Sequence, residues 1–199
     1  MRKGNPLLKP LALALTVFEL NFTDLLEMFR FHNSKQGLDI WGIDTDHIYQ
    51  SFLRDVSAQI MNFSASATLV VDQSRAFGRR LNNESFNKVI DAERVKRFTT
   101  NHNILIVHAV RNYTVHRFTP PLTSKHDFNL SYEEGFARFT IRRDSILRHV
   151  KLSKPNDSAT ISLLESLTDD VEFESYVQGY HDDVASYYEW FIDTLKRYE

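Results

Sequence analysis

The sequence predicts an all-α protein, a bundle of four to five helices with an inserted β-hairpin. Apolar residues recur three and four positions apart over most of the chain, which is the spacing of one helix face. The 199 residues include only six Gly and five Pro, too few for the many turns of a sandwich or barrel. A chain of this length is typical of one domain, so we expect a single domain over residues 1–199.

Two amphipathic helices are predicted in the first part of the chain. The first covers about residues 10–32, and Gly37 and Gly42 follow it. Its apolar face consists of Leu11, Leu15, Phe18, Phe22, Leu25, Leu26 and Phe29. The second follows the cap signal at residues 44–46 and runs to about Leu81. Its apolar face includes Ile48, Phe52, Val56, Ile60, Phe63, Ala67, Val70 and Phe77.

A third long helix is predicted to begin within residues 86–92 and to end at about Arg117. Pro120 and Pro121 follow and cannot continue a helix. Its predicted seam is Val95, Phe98, His102, Leu105 and Ala109. At seven-residue steps this seam continues to Asn112 and His116, so we expect the buried face to become polar in its last two turns.

After these prolines the spacing of apolar residues changes to every second position, which is typical of strands. Phe128, Leu130 and Tyr132 alternate with polar residues, as do Ala137, Phe139 and Ile141, and residues 133–135 have the composition of a turn. We therefore predict a β-hairpin insert at 122–143, attached to the bundle as an appendage. Two further helices are predicted at about 159–167 and 172–198, the latter with several tyrosines in the core.

Missing residue types exclude several functions. The chain has no Cys, so it has no disulfides and no thiolate nucleophile. Its six glycines cannot form a phosphate-binding loop of the Walker or dinucleotide type. The histidines lack metal-ligand spacing, so we expect neither a metal nor a cofactor. No membrane span and no cleavable leader are recognised, so we expect a cytoplasmic protein.

Charge is distributed unevenly although the net charge is only −2. Residues 75–151 contain fifteen Lys and Arg against seven Asp and Glu, whereas residues 151–199 contain four against eleven. A basic middle can bind a polyanion such as RNA. The alternative is that its cations simply solvate helices and pair with the acidic C-terminal part.

The most informative polar residues are Arg111, Asn112 and His116, near the end of the third predicted helix. Buried polar groups need partners, so such residues are either satisfied within the protein or used for function. In the first interpretation they form a hydrogen-bonded helix end, where the helix dipole favours cations. In the second they form a site.

The segment Arg111-Asn112-x-x-x-His116, late in a long helix of a helical bundle, resembles the R-x4-6-H motif of the HEPN superfamily. The surrounding AVRNYTVHRFTPP and the upstream SASATLVVDQSR also resemble prokaryotic members. Active members are metal-independent endoribonucleases that work as dimers, some of them as toxins or phage-defence effectors. The resemblance therefore implies RNA as substrate, a homodimer, and an antitoxin or defence-system partner.

The resemblance also implies roles for individual residues. His116 would transfer protons and Arg111 would stabilise charge on the phosphorane, giving a 2′,3′-cyclic phosphate product. Asn112 would orient the imidazole or hold a phosphate oxygen. We expect the basic residues Arg117, Arg138 and Arg142 to contact RNA.

One departure from the family pattern concerns regulation. Toxin members that are modified by a nucleotidyltransferase antitoxin carry Tyr two residues after the His, where this chain has Phe118. Two other functions remain open from the sequence. One is a non-catalytic HEPN-like module that binds a nucleotide or a protein, and the other is a helical interaction protein in which the motif is structural.

Overall fold

The computed structural model of the protein describes residues 8–40, 46–117, 119–128, 135–168 and 171–198. Within these residues the chain forms eight helices and one antiparallel hairpin of two strands. The elements are α1 Lys9–His32, α2 Lys35–Ile40, α3 Asp46–Leu81, α4 Glu84–Phe98, α5 His102–Arg117, β1 Leu122–Phe128, β2 Gly135–Ile141, α6 Arg143–Ser153, α7 Ser158–Ser166 and α8 Phe173–Leu195. The predicted all-α class with an inserted hairpin is confirmed.

Some predicted features lie outside the described residues. These are the cap residues Asp44 and Thr45, the hairpin turn at 133–134, Gly42 and Phe118.

Helix α3 is the centre of the bundle. It has 36 residues, about 54 Å at a rise of about 1.5 Å per residue, and α1 packs along it. Phe18 of α1 stacks on Phe63 of α3, with ring centroids 5.4 Å apart and both side chains buried. Ser74 Oγ and Tyr187 Oη are hydrogen bonded at 2.8 Å, which ties α3 to α8. The hydrophobic core therefore runs between α1, α3 and α8.

The predicted third helix is wrong as a single element, because it breaks at residues 99–101 into α4 and α5. Asn101 Oδ1 accepts hydrogen bonds from the backbone N–H groups of Asn103 at 2.9 Å and Ile104 at 3.3 Å, and so starts a new helix. Asn101 Nδ2 also donates to Asp183 of α8 at 2.8 Å. The new helix start is thus attached to α8.

This break changes which face of α5 is buried. Val95 is 50% exposed and His102 is also exposed, so the predicted seam is wrong at both positions. The buried residues of α5 are Ile104, Ile106, Val107, Ala109, Val110 and Thr114. Because a new helix starts at residue 102, the buried face of α5 is not the continuation of the predicted seam that begins in α4.

The hairpin lies within the predicted insert 122–143, and its strands pair from Leu122 opposite Ile141 to Phe128 opposite Gly135. It is not an appendage, since one of its faces belongs to the core. Phe139 is 4% exposed and lies against Phe29 and His32, with ring centroids 5.8 and 3.9 Å away. Deleting the hairpin would therefore uncover the core.

Two helices were not predicted, α2 and α6. Helix α6 buries Ile146 and Val150 on one side. Its partner α7 is capped by Asp157, whose Oδ1 accepts from the Thr160 N–H at 3.2 Å. The predicted helix at 159–167 corresponds to α7. Both α6 and α7 pack against α5, and His149 of α6 lies beside Tyr113 and His116 in its C-terminal half.

In the described part of the chain, no helix has both the length and the apolar character needed to cross a membrane.

Candidate functional site

The C-terminal half of α5 carries four of the six predicted site residues. Arg111 and Asn112 are half-buried, and His116 and Arg117 are exposed in the last turn of the helix. The chain then turns through Pro120 and Pro121, which prevents further helix. The predicted residues are therefore brought to one end of one helix.

We expected these residues to form the polar end of a buried seam, and this prediction is wrong. The buried side of α5 continues through Val110 to Thr114, whose hydroxyl donates to the Val110 carbonyl at 2.8 Å. Arg111, Asn112 and His116 lie at the edge of this side because α5 starts in its own register after residue 101. Their position leaves them accessible, and His116 is an exposed imidazole.

Arg111 and Asn112 are joined directly. Arg111 Nη1 donates to Asn112 Oδ1 at 3.1 Å. This bond holds the guanidinium close to the helix surface and uses the carbonyl oxygen of the amide. The Asn112 amide N–H groups can still donate, as the proposed role in holding a phosphate oxygen requires.

A second imidazole lies next to His116. His149 of α6 is 5.3 Å from the His116 ring, measured between ring centroids, and 5.5 Å from the Tyr113 ring. Among the described residues, the Nε2 atom of His149 is buried and has no hydrogen-bond partner. His149 was not among the predicted site residues, because its position in the sequence shows no metal-ligand spacing. The four-residue spacing of Ile146 and Val150 could have indicated α6.

Burial and nearby cations keep two histidines of this region uncharged. Burial, and then the positive charges of His116, Arg117 and Lys154, lower the pKa of His149 from its ordinary value. Burial, and then Arg111 and Lys154, lower the pKa of His108 to about 4. His108 Nε2 is hydrogen bonded to Tyr180 Oη at 2.9 Å. Both imidazoles are therefore neutral near pH 7.

A cavity of about 110 Å³ lies between α5, α6 and the start of α7. Its polar lining residues are His108, Asn112, His149, Ser153, Lys154, Asp157 and Thr160. In the described part of the chain, Arg111, Arg117 and Lys154 have no carboxylate oxygen within 4 Å. Positive charge around this cavity is thus largely uncompensated.

The other two predicted RNA contacts, Arg138 and Arg142, lie elsewhere. Arg138 is on β2, opposite Lys125 in the hairpin register. Arg142 Nη2 donates to the Pro120 carbonyl at 3.2 Å, and its backbone N–H donates to the Pro121 carbonyl at 2.8 Å. Arg142 therefore fixes the turn that follows α5.

Over the described residues, no group of three or more His, Cys, Asp or Glu side chains is arranged to hold a metal ion. The chemistry available at this site is that of imidazoles, guanidinium groups and an amide.

Comparisons of this chain with protein-family models, with curated proteins and with solved structures found no match.

Proposed function

We propose that the protein is a metal-independent endoribonuclease of the HEPN type. The observation that carries the proposal is an exposed imidazole, His116, at a helix end whose neighbouring cations Arg111 and Arg117 have no carboxylate partner in the described chain. RNA phosphates provide the missing negative charge.

The residues can supply each step of RNA cleavage by internal attack. A base removes the proton of the 2′-hydroxyl, whose oxygen attacks the adjacent phosphorus, and an acid protonates the departing 5′-oxygen. His116 exchanges protons and Arg111 stabilises the charge that develops on phosphorus. The products are a 2′,3′-cyclic phosphate and a 5′-hydroxyl, and neither step requires a metal.

A single His116 cannot serve as base and acid in the same step, so we assign the second role to His116 of another protomer. Val115, His116 and Arg117 are consecutive exposed residues, and the Val115 side chain is 39% exposed. A two-fold axis at this helix end would cover Val115 and bring both imidazoles to one cleft. Val115→Glu should give a monomer by light scattering and should lose cleavage; a wild-type monomer with full activity contradicts this part of the proposal.

The decisive experiment compares two histidines of the same helix. Purified wild type, His116→Ala and His102→Ala are incubated with RNA in excess EDTA, and product ends are mapped. His116→Ala should lose about 100-fold or more in rate, since general acid–base catalysis contributes about 10²–10⁴. His102→Ala changes an exposed histidine at the other end of α5 and should keep its activity.

Three results would refute metal-independent cleavage through His116: activity that EDTA abolishes, products with a 3′-hydroxyl, or an unaffected His116→Ala variant. Arg111→Ala should weaken both RNA binding and cleavage, because a guanidinium on phosphate acts in the ground and transition states. As a toxin or phage-defence effector of the cytoplasm, the wild-type chain should also inhibit bacterial growth, and His116→Ala should relieve this. An antitoxin or defence-system partner would then suppress the growth inhibition.

The second candidate function is a non-catalytic module that binds a nucleotide or a protein. The Arg111–Asn112 hydrogen bond at 3.1 Å favours it, because a guanidinium fixed beside an amide is an anion ligand without any proton transfer. RNA or nucleotide binding that depends on Arg111, with no cleavage by the wild type, would establish this alternative.

A further inference from the structure

The cavity between α5, α6 and α7 has properties that the proposed cleavage reaction does not use. His108, His149 and Lys154 line it, and none of them was among the predicted site residues. His149 Nε2 is buried without a hydrogen-bond partner in the described part of the protein. An unsatisfied buried polar atom costs about 1–3 kcal/mol, so a hydrogen-bond partner for the His149 ring would stabilise this side of the cavity.

The lining decides the charge of this ligand. Lys154 has no carboxylate oxygen within 4 Å among the described residues, and its positive charge acts on both His108 and His149. Both imidazoles are neutral near pH 7, and each carries one N–H. His108 Nε2 is already hydrogen bonded to Tyr180 Oη at 2.9 Å, so His108 is not counted as a donor to the ligand. The donors considered are therefore the Lys154 ammonium group, the His149 N–H and the Asn112 amide, which favour an oxyanion.

Asp157 is the one carboxylate that lines the cavity. Its Oδ1 accepts the N–H of Thr160 at 3.2 Å, so this oxygen is used to cap α7. Asp157 does not form an ion pair with Lys154 within 4 Å, which leaves the ammonium group available.

The volume decides the size of the ligand. Pockets for drug-sized molecules measure about 300–1,000 Å³, whereas this cavity measures about 110 Å³. A cavity needs about 10–15 Å³ to hold one water, so there is room for a small tetrahedral oxyanion. A nucleoside does not fit within this volume, so the cavity would hold the phosphate group alone.

We propose that this cavity binds a phosphomonoester, with Lys154 Nζ, the His149 imidazole and the Asn112 amide as donors to its oxygens. The phosphate either belongs to the end of an RNA strand or is a free small phosphate. The inference concerns binding only and does not depend on RNA cleavage.

The test uses the full chain and two lysines of the same region. Inorganic phosphate is titrated into wild type, Lys154→Met and Lys151→Met while the histidine ring resonances are followed by NMR. Lys151 is a matched control because it lies on α6 and is paired with Glu165 at 2.7 Å. In the wild type, phosphate should shift the His149 and His108 resonances to saturation.

Lys154→Met should raise the dissociation constant of phosphate about tenfold or more, and Lys151→Met should change it less than about twofold. His149→Phe, which keeps a ring in place, should weaken phosphate binding as well. Absence of a saturable shift in the wild type would overturn the proposal, since the cavity would then hold water only. Equal losses in the two lysine variants would also overturn it.

A second arm identifies the source of the phosphate. A short RNA with a 5′-phosphate is compared with the same RNA carrying a 5′-hydroxyl, in EDTA. Tighter binding of the phosphorylated RNA, lost in Lys154→Met, assigns the site to RNA ends; equal binding assigns it to free phosphate. The phosphate titration needs no RNA, so it can give a positive result when the cleavage assay does not. Each proposal can therefore be refuted without refuting the other.

Discussion

The cations of α4 and those at the end of α5 are in opposite environments. On α4, each of Lys88, Arg94, Lys96 and Arg97 lies within 4 Å of a carboxylate oxygen of the same helix. At the end of α5, Arg111 and Arg117 have no such partner in the described chain, nor does Lys154, which follows α6.

The two environments differ in what the positive charge is available to do. On α4 the field of each cation is largely cancelled by its neighbour, and the pairs form part of a solvated helix surface. Around the cavity, burial first and then the positive charges of the neighbouring cations lower the pKa of His108 and of His149. Of these two groups of cations, the one around the cavity is suited to an anionic ligand.

The largest expected difference between the regions is in RNA affinity. Arg111→Gln combined with Arg117→Gln should weaken RNA binding about 100-fold at low salt, because each removes a charged hydrogen-bond donor. The salt slope should decrease by about 1.4, since each phosphate contact on a single strand adds about 0.7. Fluorescence anisotropy across a potassium chloride series measures both quantities.

Lys88→Gln combined with Lys96→Gln is the control for that measurement. It removes the same formal charge from α4 and should change RNA affinity less than about twofold, because these lysines are paired with Glu84 and Glu93. Equal losses in the two double variants would show that RNA binding depends on net charge alone, and the distinction between the regions would fail.

An intermediate effect is expected on stability, and here substitution on α4 should have the larger effect. Arg97 Nε donates to Glu93 at 2.6 Å, Arg97 Nη1 donates to Ser186 at 3.0 Å, and the guanidinium lies 5.8 Å from the Trp190 ring. Arg97→Ala should therefore lower the free energy of unfolding by about 1–2 kcal/mol. Arg117→Ala should change it by less than about 0.5 kcal/mol. Urea denaturation checks this, and a larger loss for Arg117→Ala would reverse the assignment.

The smallest expected effect is on pH dependence. The pKa of His108 is lowered to about 4 from 6.5, so the unfolded chain binds the proton more readily than the folded one between these values. This contribution to stability is complete above about pH 6.5 and is lost as the pH falls towards 4. Arg111→Gln should raise the pKa of His108 and so reduce the loss at pH 5 by less than about 1 kcal/mol.

Urea denaturation at pH 7.5 and pH 5 measures this difference. Lys96→Gln should leave the pH dependence unchanged, because its charge is paired with Glu93. If Arg111→Gln shows the wild-type pH dependence, then the charge of Arg111 does not lower the pKa of His108.

The helices with long apolar periodicity and the presence of the hairpin could be predicted from local sequence patterns. The bounds of α1 and α3 and the buried tyrosines of α8 were predicted closely. These features are local, because a helix face or an alternating strand is encoded by residues only a few positions apart. The position of three residues near a helix end could also be predicted from nearby sequence, because Pro120 and Pro121 follow soon after. These residues are Arg111, Asn112 and His116.

The break between α4 and α5 and the surroundings of His116 depend on tertiary contacts and could not be predicted from local patterns. Asn101 starts α5 while it is hydrogen bonded to Asp183, 82 positions along the chain. His149 reaches His116 because α6 packs on α5, and Lys154 reaches the same cavity from the end of α6. Such contacts join segments that are distant in sequence, and no periodic pattern specifies which helices pack together.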